Sequence, residues 1–265
     1  MNLTTIRNLL ASIAMSALVV VVASEANGAM LVSDSFTYAD GALNGKDPAI
    51  GGVWGNHSGT AGQVQVTGGK ISIVQSTQSE DVNIPFEGSY VLGAGGVLYS
   101  GFDLTVAAPT GAVTDVYFAS FLTGTTLFDA RVWMTAPTTS GYRLAISNDN
   151  SITDADGEVR TGDLAFGTTY RVVTKYDFDA KKGTLWIDPV NEASASFSAS
   201  DPGFSDAAIA YAFREATGNT TQVIDNLLVG TTFTEAAGGV EVPEPTSLIL
   251  VALGSVLCLA RRQGR

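Results

Sequence analysis

Cysteine and histidine are almost missing from this 265-residue chain. Its single thiol, Cys258, lies in an apolar stretch near the C-terminus, so the rest of the chain cannot build a disulfide framework. Zinc held by thiolates is excluded, and with His57 as the sole imidazole a histidine-rich metal site is excluded too. The same count removes any self-contained Ser-His-Asp or Cys-His machine that does not use His57. Basic residues are also scarce: 14 Lys and Arg stand against 26 Asp and Glu. Within residues 30–241 the balance is ten against 24, a net charge of −14. Such a surface repels phosphate backbones, so nucleic acid is not expected as a partner. The acids are scattered rather than in runs, which argues against an acidic disordered segment, and divalent cations stay compatible with them.

Long apolar runs are missing as well, but two short ones stand at the termini. Arg7 precedes Leu9 to Ala23, and the small residues of "SEANGAM" follow. One positive charge, an apolar core and small residues predict a secretory signal peptide over residues 1–29, cleaved after Ala26 or Ala29. The run is shorter than the roughly 18 residues of a permanent spanning helix. At the other end, Thr246 to Ala260 would reach only about 22 Å as a helix, against a hydrocarbon core of roughly 30 Å. Local thinning and snorkelling arginines cover such a gap at modest cost. Arg261, Arg262 and Arg265 stop transfer and place the C-terminus in the cytoplasm, with everything before the run outside.

Just before that run come Val242, Pro243, Glu244 and Pro245. Two prolines spaced by one residue keep the backbone extended and remove amide donors a helix could use. Extended motif, short transmembrane helix over 246–260 and basic end together resemble the PEP-CTERM sorting signal of exported bacterial proteins that accompany an exopolysaccharide matrix. The resemblance implies recognition and processing by a membrane-embedded exosortase. It also implies a chain held at the inner membrane by its tail and then passed to the cell surface or extracellular matrix.

Between the termini the hydrophobic pattern has period two, and no sustained helical stripe appears. "QVQVTGGKISIV" reads as a hairpin, with Val64 and Val66 alternating with glutamines, a turn at Thr67 to Gly69, and Ile71 and Ile73 on the return strand. "LYSGFDLTV", "TDVYFASFL", "LFDARVWM", "YRLAISN", "YRVVTKYDF", "TLWIDP", "AIAYAF" and "QVIDNLLVG" supply further strands, about ten to thirteen in all. The fold class expected is all-β: one antiparallel β-sandwich over 30–234 followed by a linker over 235–241. Three pieces, "DSFTYADGALNGKDPAIGGVWG", "GTTYRVVTKYDFDAKKGTLWIDP" and "QVIDNLLVGTTF", resemble the opening, middle and closing strands of exported, PEP-CTERM-tagged sandwich proteins. The matching positions are Tyr38, Gly41, Leu43, Gly45 and Trp54, then Tyr170, Leu185, Trp186 and Pro189, then Asp225 and Gly230. The resemblance implies a jelly roll of the concanavalin A-like, laminin-G-like type.

No catalytic signature stands out, and the chain is not expected to be an enzyme. A retaining glycosidase needs two carboxyls about 5 Å apart, and alternate residues of one strand are the usual way to place them. The nearest pair, Asp177 and Asp179, sits at a hairpin end, where Asp is ordinary turn chemistry. No cofactor is expected, with structural calcium left open. In "SNDNSITDADGEVRTGD" a calcium loop registered on Gly157 gives Asp154 and Asp156 ligand positions, but Ile152 falls where the first ligand belongs. Asp154 and Asp156 stay as calcium candidates, and Asp225 is another. Carbohydrate is the ligand that the matrix setting suggests. Trp54 and His57, in a Gly-rich loop, are the ligand-binding candidates, while Trp133 and Trp186 lie in strands and are expected in the core. A purely structural surface protein is the alternative, and a polysaccharide hydrolase or lyase is a third reading.

Overall fold

The computed structural model describes residues 28–239, apart from residues 90, 94, 125–126, 150, 153–158 and 201–206. The predicted signal segment up to residue 27 and the sorting tail therefore lie outside the described residues. Strands β1 (Met30–Asp34), β2 (Gly41–Ala42), β3 (Gly55–Ser58), β4 (Gln65–Thr67), β5 (Lys70–Val74) and β6 (Asp81–Pro85) open the domain. There follow β7 (Leu92–Gly93), β8 (Val97–Ala107), β9 (Val116–Thr123), β10 (Leu127–Thr135), β11 (Arg143–Ser147) and β12 (Thr169–Asp177). Last come β13 (Lys182–Ile187), β14 (Phe197–Ala199), β15 (Ala207–Ala208), β16 (Ala210–Arg214), β17 (Thr221–Gly230) and a one-turn helix, α1 (Phe233–Ala237).

Two large antiparallel sheets pack face to face, the all-β sandwich that the period-two pattern predicts, and β7 and β15 pair in a small third sheet. The larger has the order β14-β13-β12-β8-β17-β5-β4-β2, with β1 also pairing with β17. The smaller has the order β11-β10-β9-β16-β6-β3. Inward side chains meet between them: Phe102 of β8 lies 6.2 Å from Phe118 and 5.7 Å from Phe213, and Phe121 lies 5.3 Å from Tyr211. Burying one such side chain stabilises the fold by about 1.5–3 kcal/mol. The predicted hairpin is present as β4–β5. Its turn is the pair Gly68 (φ 59) and Gly69 (φ 76), the left-handed backbone that a two-residue hairpin loop needs.

Strand β17 occupies the middle of the larger sheet. Thr221 to Ile224 pair with β5, and Leu227 to Gly230 pair with β1, while β8 runs along the other side. The changeover falls at a register shift between Asp225 and Leu228, where Asn226 takes φ 49. Strands β1, β3 and β6 were not among those the sequence pattern suggests, because "MLVSD", "GNHS" and "DVNIP" are too short or too polar to show alternation.

The expected boundary between domain and linker at 234/235 needs correction. It falls inside α1, which belongs to the sandwich. Thr232 and Glu235 form a reciprocal capping box, and Gly238 closes the helix in the left-handed region (φ 86). Phe233, Ala236 and Ala237 pack on Tyr99, Val173 and Trp186 of the larger sheet's outer face. Gly101 makes room for this: a Cβ there would stand 1.9 Å from the Ala236 carbonyl oxygen. The folded unit therefore continues to Gly239.

Candidate functional site: the outer face of the six-stranded sheet

The residues singled out in the sequence do not converge. Trp54, expected in a loop and open to a ligand, is a core residue with 1% of its surface exposed. Its indole N–H donates to Asp34 at 2.7 Å, and its ring stacks on Phe213 at 6.0 Å. Asp34 also accepts from the Phe36 amide and the Tyr38 hydroxyl. The opening motif is thus a buried hydrogen-bond network that ties Tyr38 and Trp54 to the end of β1. No sugar ring can stack on Trp54 there. Asp225 forms an ion pair with Lys70 at 3.1 Å and accepts from the Asn226 amide, so a lysine already stands where a calcium ion would have to sit. Asp154, Asp156, the motif residues Val242 to Pro245 and the three C-terminal arginines lie outside the described residues. Asp177 and Asp179 accept from the amides of Ala180 and Gly95, which is turn chemistry. Among the described residues no group of three or more His, Cys, Asp or Glu side chains could hold a metal ion.

His57 is the exception. It lies not in a loop but on β3, the edge strand of the smaller sheet, and its ring approaches Phe128 to 6.0 Å. From there a cluster can be followed across the sheet. Tyr117 lies 6.2 Å from Phe128 and 5.3 Å from Trp133. The Arg131 guanidinium stands 5.2 Å from the Tyr117 ring and 5.6 Å from that of Phe128. Arg214 covers Tyr117 at 4.4 Å and approaches Asp81 at 3.9 Å. Cation–π contacts of this kind are worth about 0.5–2 kcal/mol each, more as water is excluded.

Backbone irregularity assembles this face. Phe128 and Arg131 are three residues apart, so strict alternation would send them to opposite sides of the sheet. A bulge between Asp129 and Val132, with Ala130 at φ 49, resets the alternation and puts both on the outer side with Trp133. The floor beneath the rings is a cross-strand row of small or short side chains, Ser120, Ala212, Asn83 and Gly55. Ser120 and Ala212 are buried under the cluster, whereas Tyr117, Phe128, Trp133 and His57 stay half-buried. Trp133, expected in the core, is therefore on the surface, with its N–H donating to Ser147 at 2.8 Å. Trp186 is buried as expected, but beneath α1 and not between the sheets.

The electrostatics of the face follow from its partial dryness. Burial pushes the Asp81 carboxyl up to about 6, with Glu80 acting in the same direction and Arg214 and a Ser58 hydrogen bond opposing. Burial pushes the His57 imidazole down, so it is neutral at pH 7. Neither of its nitrogens has a hydrogen-bond partner among the described residues. The face thus offers aromatic rings and a partly exposed guanidinium, while both ring nitrogens of His57 are closed off from solvent.

Residues 241–265 match the family model described as the PEP-CTERM protein-sorting motif. Solved structures similar to the chain include the carbohydrate recognition domain of Emp47p, at 10% identity and a TM-score of 0.44, covering 76% of this chain and 96% of that one. Lectin II from Ulex europaeus is 11% identical with a TM-score of 0.41, covering 67% of this chain and 96% of that one. A Lotus tetragonolobus seed lectin is 10% identical with a TM-score of 0.43, covering 76% and 98%. No curated protein matches the sequence.

Proposed function

We propose that this is an exported protein of the bacterial cell envelope or exopolysaccharide matrix, held at the inner membrane by its tail until an exosortase-type enzyme processes it. The observation that carries the reading is the sorting motif over residues 241–265, preceded at the far end of the chain by a signal-peptide pattern. The intact mass of the protein recovered from the cell surface or matrix tests it. A mass lacking the residues after Pro245 is expected, and a full-length chain confined to the membrane fraction would make the tail a plain anchor.

The sandwich itself is proposed to be a binding module for carbohydrate and not an enzyme. What supports this is the half-buried platform of Tyr117, Phe128 and Trp133, because aromatic faces suit the apolar faces of sugar rings while Arg214 offers hydrogen bonds at their edges. Titration of the isolated matrix polysaccharide into the protein should show binding that Trp133→Ala weakens about tenfold, or 1.4 kcal/mol. Absence of binding by the unmodified protein would leave the purely structural role.

A further inference from the structure

The sequence says that the tail enters a membrane; the fold says from which side of the domain it departs. Helix α1 lies across β17, β8 and β12 on the outer face of the nine-stranded sheet, the broad side opposite the aromatic cluster. It is fastened there. Arg171 donates to the Ala236 carbonyl at 2.5 Å and to the Asn226 carbonyl at 2.8 Å, and pairs with Asp103 at 3.2 Å. The other end of the domain reaches the same place: Ala29 donates to the Thr231 hydroxyl, Thr231 donates back to the Ala29 carbonyl, and Gly28 lies against the Glu235 carboxylate. Both segments that the sequence assigns to a membrane therefore leave the sandwich beside α1.

We infer that, while the tail holds the chain, the outer face of the nine-stranded sheet is the surface turned toward the bilayer, and the aromatic face of the six-stranded sheet is turned away. This rests on the sorting reading of residues 241–265. Chain length supplies the argument. From Gly239 to Thr246, where the apolar run begins, the backbone spans at most about 25 Å even fully extended. The two sheets lie about 10 Å apart, α1 adds about 10 Å above one of them, and a chain leaving the middle strands must pass about 10 Å or more sideways to reach an edge, so turning the opposite face to the membrane would require more than about 30 Å of chain. The tether is too short for that.

Charge permits this approach. The domain is strongly acidic, but on the α1 side Lys70–Asp225 at 3.1 Å, Arg171–Asp103 at 3.2 Å and Lys175–Glu192 at 3.0 Å hold three acids in ion pairs, and the Glu235 carboxylate accepts from the Thr231 and Thr232 amides.

The test uses the full chain carrying Cys258→Ser, expressed where no processing enzyme is present, with one new thiol at a time. Thr234→Cys marks the exposed side of α1, and Leu127→Cys marks the exposed start of β10. Labelling with a bulky polymer-linked maleimide on intact membranes is compared with labelling after detergent release, which corrects for intrinsic reactivity. The inference expects Thr234→Cys to be slowed several-fold by the membrane and Leu127→Cys to be unaffected. It also expects a Gly/Ser spacer of about 20 residues inserted after Gly239, roughly 25 Å in mean span, to abolish the difference. Equal labelling of the two thiols on a membrane-held chain would overturn the orientation alone. A chain absent from the membrane fraction would overturn the sorting reading with it.

Discussion

The outer face of the nine-stranded sheet is closed by a helix, whereas over that of the six-stranded sheet the described residues place side chains of its own strands. On the first, Phe233, Ala236 and Ala237 seal Tyr99, Val173 and Trp186 from water. On the second, Tyr117, Phe128, Trp133 and His57 lean over a floor of Ser120 and Ala212 and stay half in solvent. A tryptophan under α1 has been committed to stability, and a tryptophan on the open face has not. The contrast teaches that residue type does not announce role in this fold. What lies above the side chain does.

The comparison can be broken most forcefully in the core that both sheets share. Trp54→Ala removes a ring stacked on Phe213 and one of the three donors on the Asp34 carboxylate, so denaturant unfolding should show a loss of about 3–5 kcal/mol. Gly101→Ala comes next: its methyl group meets the Ala236 carbonyl, α1 must shift or leave, and stability should fall by about 1–3 kcal/mol. Limited proteolysis should then cut within 231–239, a segment protected in the unmodified protein. Trp133→Ala is expected to cost less than Trp54→Ala, about 2 kcal/mol, because part of its ring is already in solvent. A large stability loss for Trp133→Ala would show that the open face is as structural as the closed one.

A last effect sharpens the open face through pH. The folded-state value of Asp81, about 6, lies above the 3.8 of the free side chain, so the native state holds this proton more tightly than the unfolded chain. Its contribution is complete below about pH 3.8 and lost as pH rises through 6. Asp81→Asn should therefore flatten the fall in thermal stability between pH 4 and pH 6 by about 1–2 kcal/mol, after allowance for the solvent that reaches the group. Glu215, also raised by burial, titrates in the same direction and should leave a residual slope in the variant.

Much of the architecture could be read from alternation alone, as the β4–β5 hairpin and the long strands β8, β12 and β17 illustrate. The site could not, because it depends on departures from alternation. A bulge at Ala130 brings Phe128 to the side of Arg131, and nothing in "LFDARVWM" marks where the extra residue falls. Trp54 reads as a loop residue because its partner, Asp34, stands 20 positions earlier in a strand with no visible period. His57 reads as a loop residue because "GNHS" is polar and rich in turn formers, although as an edge strand it needs only one neighbour. The sequence pattern puts a linker from residue 235, through the middle of α1, because five residues show no helical period, and the spacing of Thr232 and Glu235 is the cap signal it carries.

The pairing of β1 with β17 has a consequence for the order of events during export. Met30 aligns with Gly230, and Asp34 with Leu227, so the first strand of the domain finds its neighbour only when almost the last strand has arrived. Strand β17 is also the partner of β8 and β5, which leaves the larger sheet divided until it is inserted. Contacts so distant in sequence are slow to close. A chain emerging N-terminus first is thus kept from completing its sandwich while in transit, and the domain can finish folding only as its sorting tail reaches the membrane.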